Sequence, residues 1–114
     1  MNEILPALFL GGVDAALDTE LLRRSKIKSV LTVMRYKGLP SCYQVNNLPA
    51  DIEHMHIEVY DSDAPESSLL PHLRKCVDFI SAGRQRGGVL VHCFAGVSRS
   101  ATAVVAYLLA QVRL

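Results

Sequence analysis

Residues 89–100 read VLVHCFAGVSRS. The run Val89–Val91 is short, apolar and rich in β-branched side chains, the pattern of a strand buried on both faces. Gly87-Gly88 sits before it and ends the preceding element. Beyond it the chain enters a helix that starts near Ser98. A buried strand handed to a helix through a short loop is the repeating unit of a parallel α/β sheet. In such sheets sites form outside the carboxyl ends of the strands, which is where His92 and Cys93 stand.

The rest of the chain reads consistently with that unit. Upstream, Leu69, Leu70, Leu73, Cys76, Val77 and Ile80 form the apolar stripe of a long helix. Ser67 or Ser68 is its expected cap, with Pro71 in the first turn. Before it, Met55, Ile57 and Val59 alternate with His54, His56, Glu58 and Tyr60, a strand with one polar face that delivers Asp61. Ser29–Met34 (SVLTVM) is a second buried strand, followed by an irregular stretch carrying Gly38, Pro40 and Pro49. Ile4–Leu10 reads as one or two short strands, broken at Pro6 and closed by Gly11-Gly12. Asp14 or Asp18 caps a short helix reaching Arg24, with Leu17, Leu21 and Leu22 on one side. The expected fold is α/β: a mostly parallel central sheet flanked by helices, formed by residues 1–114 as a single domain. If the strands through Tyr60 and Val91 are parallel, Asp61 and Cys93 leave the sheet at the same edge.

Composition bounds the function. With 114 residues, half of them hydrophobic and a fifth charged, the chain is one globular domain with a small core. A net charge of +1 supplies no long-range field for nucleic acid or an anionic membrane. Three cysteines without paired spacing are neither a disulfide framework nor a zinc site, and they favour a reducing compartment. The four histidines lack paired spacing with cysteines or carboxylates, so no metal and no cofactor is expected. Ile4–Gly12 is apolar, but Asn2 and Glu3 precede it where a signal peptide has basic residues. The apolar run Ala101–Ala110 is about half of what a bilayer span requires. The expectation is a soluble cytoplasmic or nuclear protein.

Residues 92–100, HCFAGVSRS, carry the candidate chemistry. A Cys followed six positions later by an Arg is a weak signal alone; its place between a strand and a helix N-terminus makes it specific. There the unsatisfied backbone N–H groups and the helix dipole favour an anion. Gly96 permits the tight path that turns amides inward. Cleaving a phosphate ester requires a nucleophile ionised near neutral pH, and a helix N-terminus beside an Arg lowers a thiol's pKa. Cys93 is therefore the candidate nucleophile. Planar Arg99 can grip two phosphate oxygens at once. Ser100 is placed to donate a hydrogen bond to the sulfur as it leaves, and His92 fixes the loop from behind. Cys76 lies on a helix stripe and reads as packing, while Cys42 is assigned nothing. An alkoxide or phenolate leaves poorly without a proton, so an acid is needed. Asp61 is preferred to Asp63, which lies further along the loop, although DSDAPES also has the composition of an ordinary turn.

These residues resemble the signature of dual-specificity phosphatases, within the cysteine-based protein tyrosine phosphatase superfamily. HCFAGVSRSAT resembles that family's phosphate loop and helix start, VLVHC its strand, EVYDSDAPES its acid loop and ILPALFLGG its opening strand pair. The resemblance covers nearly the whole chain. It implies a metal-free, two-step reaction in which Cys93 attacks phosphorus while Asp61 protonates the leaving oxygen. Water activated by Asp61 then releases phosphate from the phosphocysteine. The backbone amides of Phe94, Ala95, Gly96, Val97, Ser98 and Arg99, with the Arg99 side chain, would bind the phosphoryl group.

The sequence narrows the branch. It has no Trp, so it lacks the tryptophan-containing acid lid of the tyrosine-specific members. Phe94, Ala95 and Val97 are apolar where lipid-phosphate members carry lysines, and Ser98 stands where the RNA triphosphatases have Asn. A phosphoprotein is the expected substrate. The family's domain continues past the helix after the phosphate loop, whereas this sequence stops at Leu114 and reads as truncated. That helix is apolar almost all round, so an uncovered face and self-association through it are expected. The alternatives are a phosphate-binding pseudoenzyme or inactive fragment, and a sulfur transferase with a cysteine loop; the Gly-x-Ser-Arg-Ser pattern and Asp61 argue against the latter.

Overall fold

The N-terminal hairpin forms one border of the sheet. β1 (Asn2–Leu5) pairs antiparallel with β2 (Leu8–Gly11) around a turn at Pro6-Ala7. Ala7 takes a left-handed φ of 68°, unusual for a residue with a Cβ. Its surroundings hold it there: its N–H donates to Glu3 Oε2 at 3.1 Å and its carbonyl accepts from Val89 N–H at 2.8 Å. The Arg84 guanidinium donates twice to the Pro6 carbonyl, at 3.1 and 2.8 Å, and once to the Tyr107 hydroxyl, at 2.9 Å. One side chain thus joins the hairpin turn to two helices of the opposite end of the sequence.

The computed structural model describes residues 1–59, 69–94 and 98–112. Where one short helix is expected after the hairpin, there are two, α1 (Val13–Leu17) and α2 (Thr19–Arg24). Asp18 separates them: its backbone leaves the helical region and its carboxylate accepts from Leu21 N–H at 3.0 Å, capping α2. β3 (Ile27–Val33), β4 (Glu53–Ile57) and β5 (Gly88–His92) complete a sheet of order β1-β2-β5-β3-β4. All pairs except β1–β2 are parallel, and β5 lies between β2 and β3. This is the expected α/β architecture with a mostly parallel sheet.

The period-two alternation of each strand decides what covers it. On one face Leu31, Val33, Val89 and Val91 pack beneath α3 (Leu73–Arg86) and α4 (Ser98–Val112). On the other, Val30 and Leu90 pack with Val13, Ala16 and Leu22 of the two short helices. α3 approaches its face closely at Gly83, where a Cβ would fall 2.7 Å from Val89 Cγ2 and 2.9 Å from Ser29 Oγ. It ends at Gly87, whose φ of 156° closes the helix.

Two boundaries differ from expectation. α3 starts at Leu73, after a separate 3-10 turn (Leu70–His72) that contains Pro71 and leaves Leu70 exposed rather than in the apolar stripe. Ser67 and Ser68, the expected caps, lie outside the described residues. β4 ends at Ile57, earlier than the alternation suggests, although Val59 remains buried. On α4, Ala103, Val104 and Tyr107 are buried, while Val105, Leu109 and Val112 face solvent.

Candidate active site

β5 is the central strand, and its carboxyl end places His92 and Cys93 at the edge where α4 begins. Cys93 is 3% exposed, and its Sγ lies 3.5 Å from Oγ of the fully buried Ser100. Ser100 and the half-buried Arg99 both stand in the first turn of α4, so these two residues share the helix N-terminus beside the Cys93 thiol. Ser98 opens that helix. Phe94, 40% exposed, meets Tyr43 edge to face with ring centroids 5.5 Å apart. Ala95, Gly96 and Val97 lie outside the described residues. So do Asp61 and Asp63, although β4 and β5 both run parallel to β3 and therefore point to the same edge.

A polar row supports the loop from behind. His92 is fully buried; its Nδ1 lies 3.2 Å from the Cys93 carbonyl oxygen and its Nε2 2.7 Å from Thr32 Oγ1. Burial pushes its pKa down to about 4, and nearby His54 and His56 push the same way against the Cys93 carbonyl and Asp14. The ring is neutral at pH 7 and meets the Cys93 carbonyl by a hydrogen bond rather than by charge. Thr32 Oγ1 also lies 2.6 Å from Nε2 of His54, on the edge strand β4. His54 is itself held below the ordinary imidazole value by burial and by His56. His56 Nε2 donates to the Met34 carbonyl at 2.7 Å, and its ring stacks on Tyr36 at 4.0 Å. The next carbonyl of the loop is tied down too: Phe94 O accepts from Val13 N–H at 3.2 Å.

Sequence reasoning missed Thr32 and His54. The signal was present as alternation: Thr32 is the one hydroxyl-bearing residue within the apolar run VLTVM, and it shares a sheet face with His54, His56 and His92. The three cysteines form no disulfide. Cys76 is buried among the α3 core residues, and burial pushes its thiol up to about 11; Cys42 is exposed.

A thiol thus stands at the end of the central parallel strand, with Arg99 and Ser100 in the first turn of the helix that follows, the kind of junction at which a helix N-terminus favours an anion. Residues 8–114 match the family model described as dual specificity phosphatase, catalytic domain, and the chain belongs to that family. Dual specificity protein phosphatase 15 of Mus musculus is 39% identical over 110 residues, 96% of this chain and 43% of that protein. Dual specificity protein phosphatase 12 of Rattus norvegicus is 40% identical over 108 residues, 94% of this chain and 30% of that protein. The crystal structure of DUSP15 superposes with a TM-score of 0.79 at 36% identity, covering all of this chain and 67% of that one. The chain thus spans less than half the length of these two relatives. Among the described residues, no helix is long and apolar enough to cross a membrane.

Proposed function

We propose that this chain hydrolyses phosphate esters of tyrosine and of serine or threonine in proteins, through a phosphocysteine intermediate. The observation that carries the reading is the buried Cys93 thiol at the mouth of α4, 3.5 Å from Ser100 Oγ. A thiolate there gains from the helix dipole and from the backbone N–H groups that a helix N-terminus offers an anion. Those amides, from Phe94 to Arg99, and the Arg99 guanidinium take the phosphoryl oxygens as charge develops on them. Cys93 Sγ forms the bond to phosphorus while the ester oxygen leaves with a proton from Asp61. Water, deprotonated by Asp61, then displaces the sulfur as Ser100 donates to it. His92, neutral, keeps the loop in shape. The substrate is a phosphoprotein, met in the cytoplasm or nucleus, and the exposed stripe on α4 favours self-association.

Phosphate release from p-nitrophenyl phosphate without added metal tests the reaction. Cys93→Ser should abolish turnover and keep phosphate-analogue binding; residual activity above about a hundredth of wild type would remove Cys93 from the nucleophile role. Arg99→Lys should also be severe, because a point charge cannot reproduce a bidentate grip. A chain that binds the analogue but releases no phosphate would be a phosphate-binding pseudoenzyme instead.

A further inference from the structure

The hydrogen bonds behind the loop have only one consistent direction. A carbonyl oxygen only accepts, so His92 Nδ1–H must donate to Cys93 O. The ring is neutral, so its Nε2 carries a lone pair and must accept from the Thr32 hydroxyl. The single Thr32 proton is then used, and its oxygen can only accept from His54 Nε2–H. The order runs from the sheet edge to the nucleophile without a break: His54, Thr32, His92, Cys93 carbonyl. We infer that Thr32 and His54 are positioning residues that fix the His92 tautomer and, through it, the peptide plane between Cys93 and Phe94.

The plane matters because a trans peptide sets its C=O and its N–H on opposite sides. Pulling the Cys93 carbonyl back to His92 aims the Phe94 N–H away from the sheet, toward the side where a phosphoryl group would sit. The Phe94 carbonyl is drawn back in the same sense by Val13 N–H. Removing the Thr32 hydroxyl frees His92 to adopt the other tautomer, with its proton on Nε2 and no donor for the Cys93 carbonyl. His54 acts one step further out. Among the described residues its Nδ1 has no hydrogen-bond partner, so protonating His54 adds a charge there without reversing any of these bonds. Among the described residues, His56 of β4 and Asp14 of α1 are the other ionisable groups acting on His92 and belong in any reading of its titration.

This inference rests on the phosphatase reading, and oxyanion binding separates the two. The probe is vanadate, measured by calorimetry on the folded chain alongside kcat/KM on p-nitrophenyl phosphate across pH. Thr32→Val should weaken vanadate binding and lower kcat/KM about tenfold each, while Thr32→Ser stays within about twofold of wild type. His54→Phe should lose about threefold and His54→Gln, which keeps a donor near Nε2, much less. The double variant Thr32→Val/His54→Phe should be no worse than Thr32→Val alone, because both cut the same chain. Wild-type binding and turnover in Thr32→Val, or additive losses in the double variant, would overturn the inference. So would a Thr32→Ser variant as impaired as Thr32→Val. If Thr32→Val fails to fold, His54→Phe against His54→Gln decides, since His54 lies on the edge strand; equal affinity in that pair ends the proposal. A wild-type chain that binds vanadate without turnover would defeat only the phosphatase reading.

Discussion

Cys93 Sγ and Ser100 Oγ lie 3.5 Å apart inside the protein although the two residues stand seven positions apart in the sequence. The strand fixes one and the first turn of α4 the other, so the contact measures how well strand and helix are joined across the loop. It also gives the first prediction. Ser100→Ala should leave attack by Cys93 nearly intact and slow release of the sulfur from phosphorus by about 10- to 100-fold. Rapid-quench kinetics on p-nitrophenyl phosphate should show a burst of p-nitrophenol and accumulated phosphoenzyme. A slowed first step without a burst would deny Ser100 that role.

The acid is tested by leaving groups. Asp61→Asn should cost about two to four orders of magnitude on a phenyl phosphate, whose oxygen needs a proton. The loss should shrink on an activated aryl phosphate. If Asp63→Asn shows that pattern instead, the acid lies two residues further on.

Stability should form a plateau bounded by two buried groups. His92 has a folded pKa of about 4 against an ordinary 6.5, so below pH 6.5 the unfolded chain binds the proton more readily. Stability is therefore lost as pH falls from 6.5 toward 4, by up to about 3 kcal/mol at 1.36 kcal/mol per pH unit. His54 acts in the same direction. Cys76 has the opposite sign: its thiol is held at about 11 against 9, so stability falls as pH rises from 9 toward 11. Urea midpoints across this range should trace the plateau. His92→Asn should flatten the acid limb, and an unchanged limb would show that another group sets it.

The α4 stripe makes a prediction about association. Val105, Leu109 and Val112 recur at helical spacing and are 50%, 67% and 58% exposed. Leu109→Glu should shift the chain toward monomer in sedimentation without changing kcat. A wild-type chain already monodisperse and melting cooperatively above roughly 60 °C would show that the stripe is harmless in solution.

How much of this was legible in the sequence differs by element. The strands were readable because VLVHC and SVLTVM combine β-branched runs with abrupt Gly or polar ends. The split at Asp18 was not, because one carboxylate can cap a helix or sit within one, and only the backbone path decides. The late start of α3 was hidden for a similar reason: Pro71 is tolerated in a first turn, and equally in the 3-10 turn that precedes this helix. Strand order was beyond reach, since nothing local to residues 88–92 says that they insert between β2 and β3. Without that order, Thr32 and His92 could not be recognised as register partners, and the polar row behind the loop stayed hidden.

The central place of β5 has a consequence for biosynthesis. β2 is finished at Gly11 and β3 at Val33, yet each takes β5 as a neighbour, and β5 ends only at His92. A ribosome adding roughly 5–20 residues per second needs about 3–12 s to cover the roughly 60 residues between β3 and the end of β5. Through that interval the nascent chain carries two strand edges with nothing to pair them, the kind of surface that templates aggregation. The strand that closes both edges is also the one that brings in Cys93. Sheet closure and delivery of the thiol are thus one event, so a chain stalled before Gly88 is an open sheet without Cys93 in place.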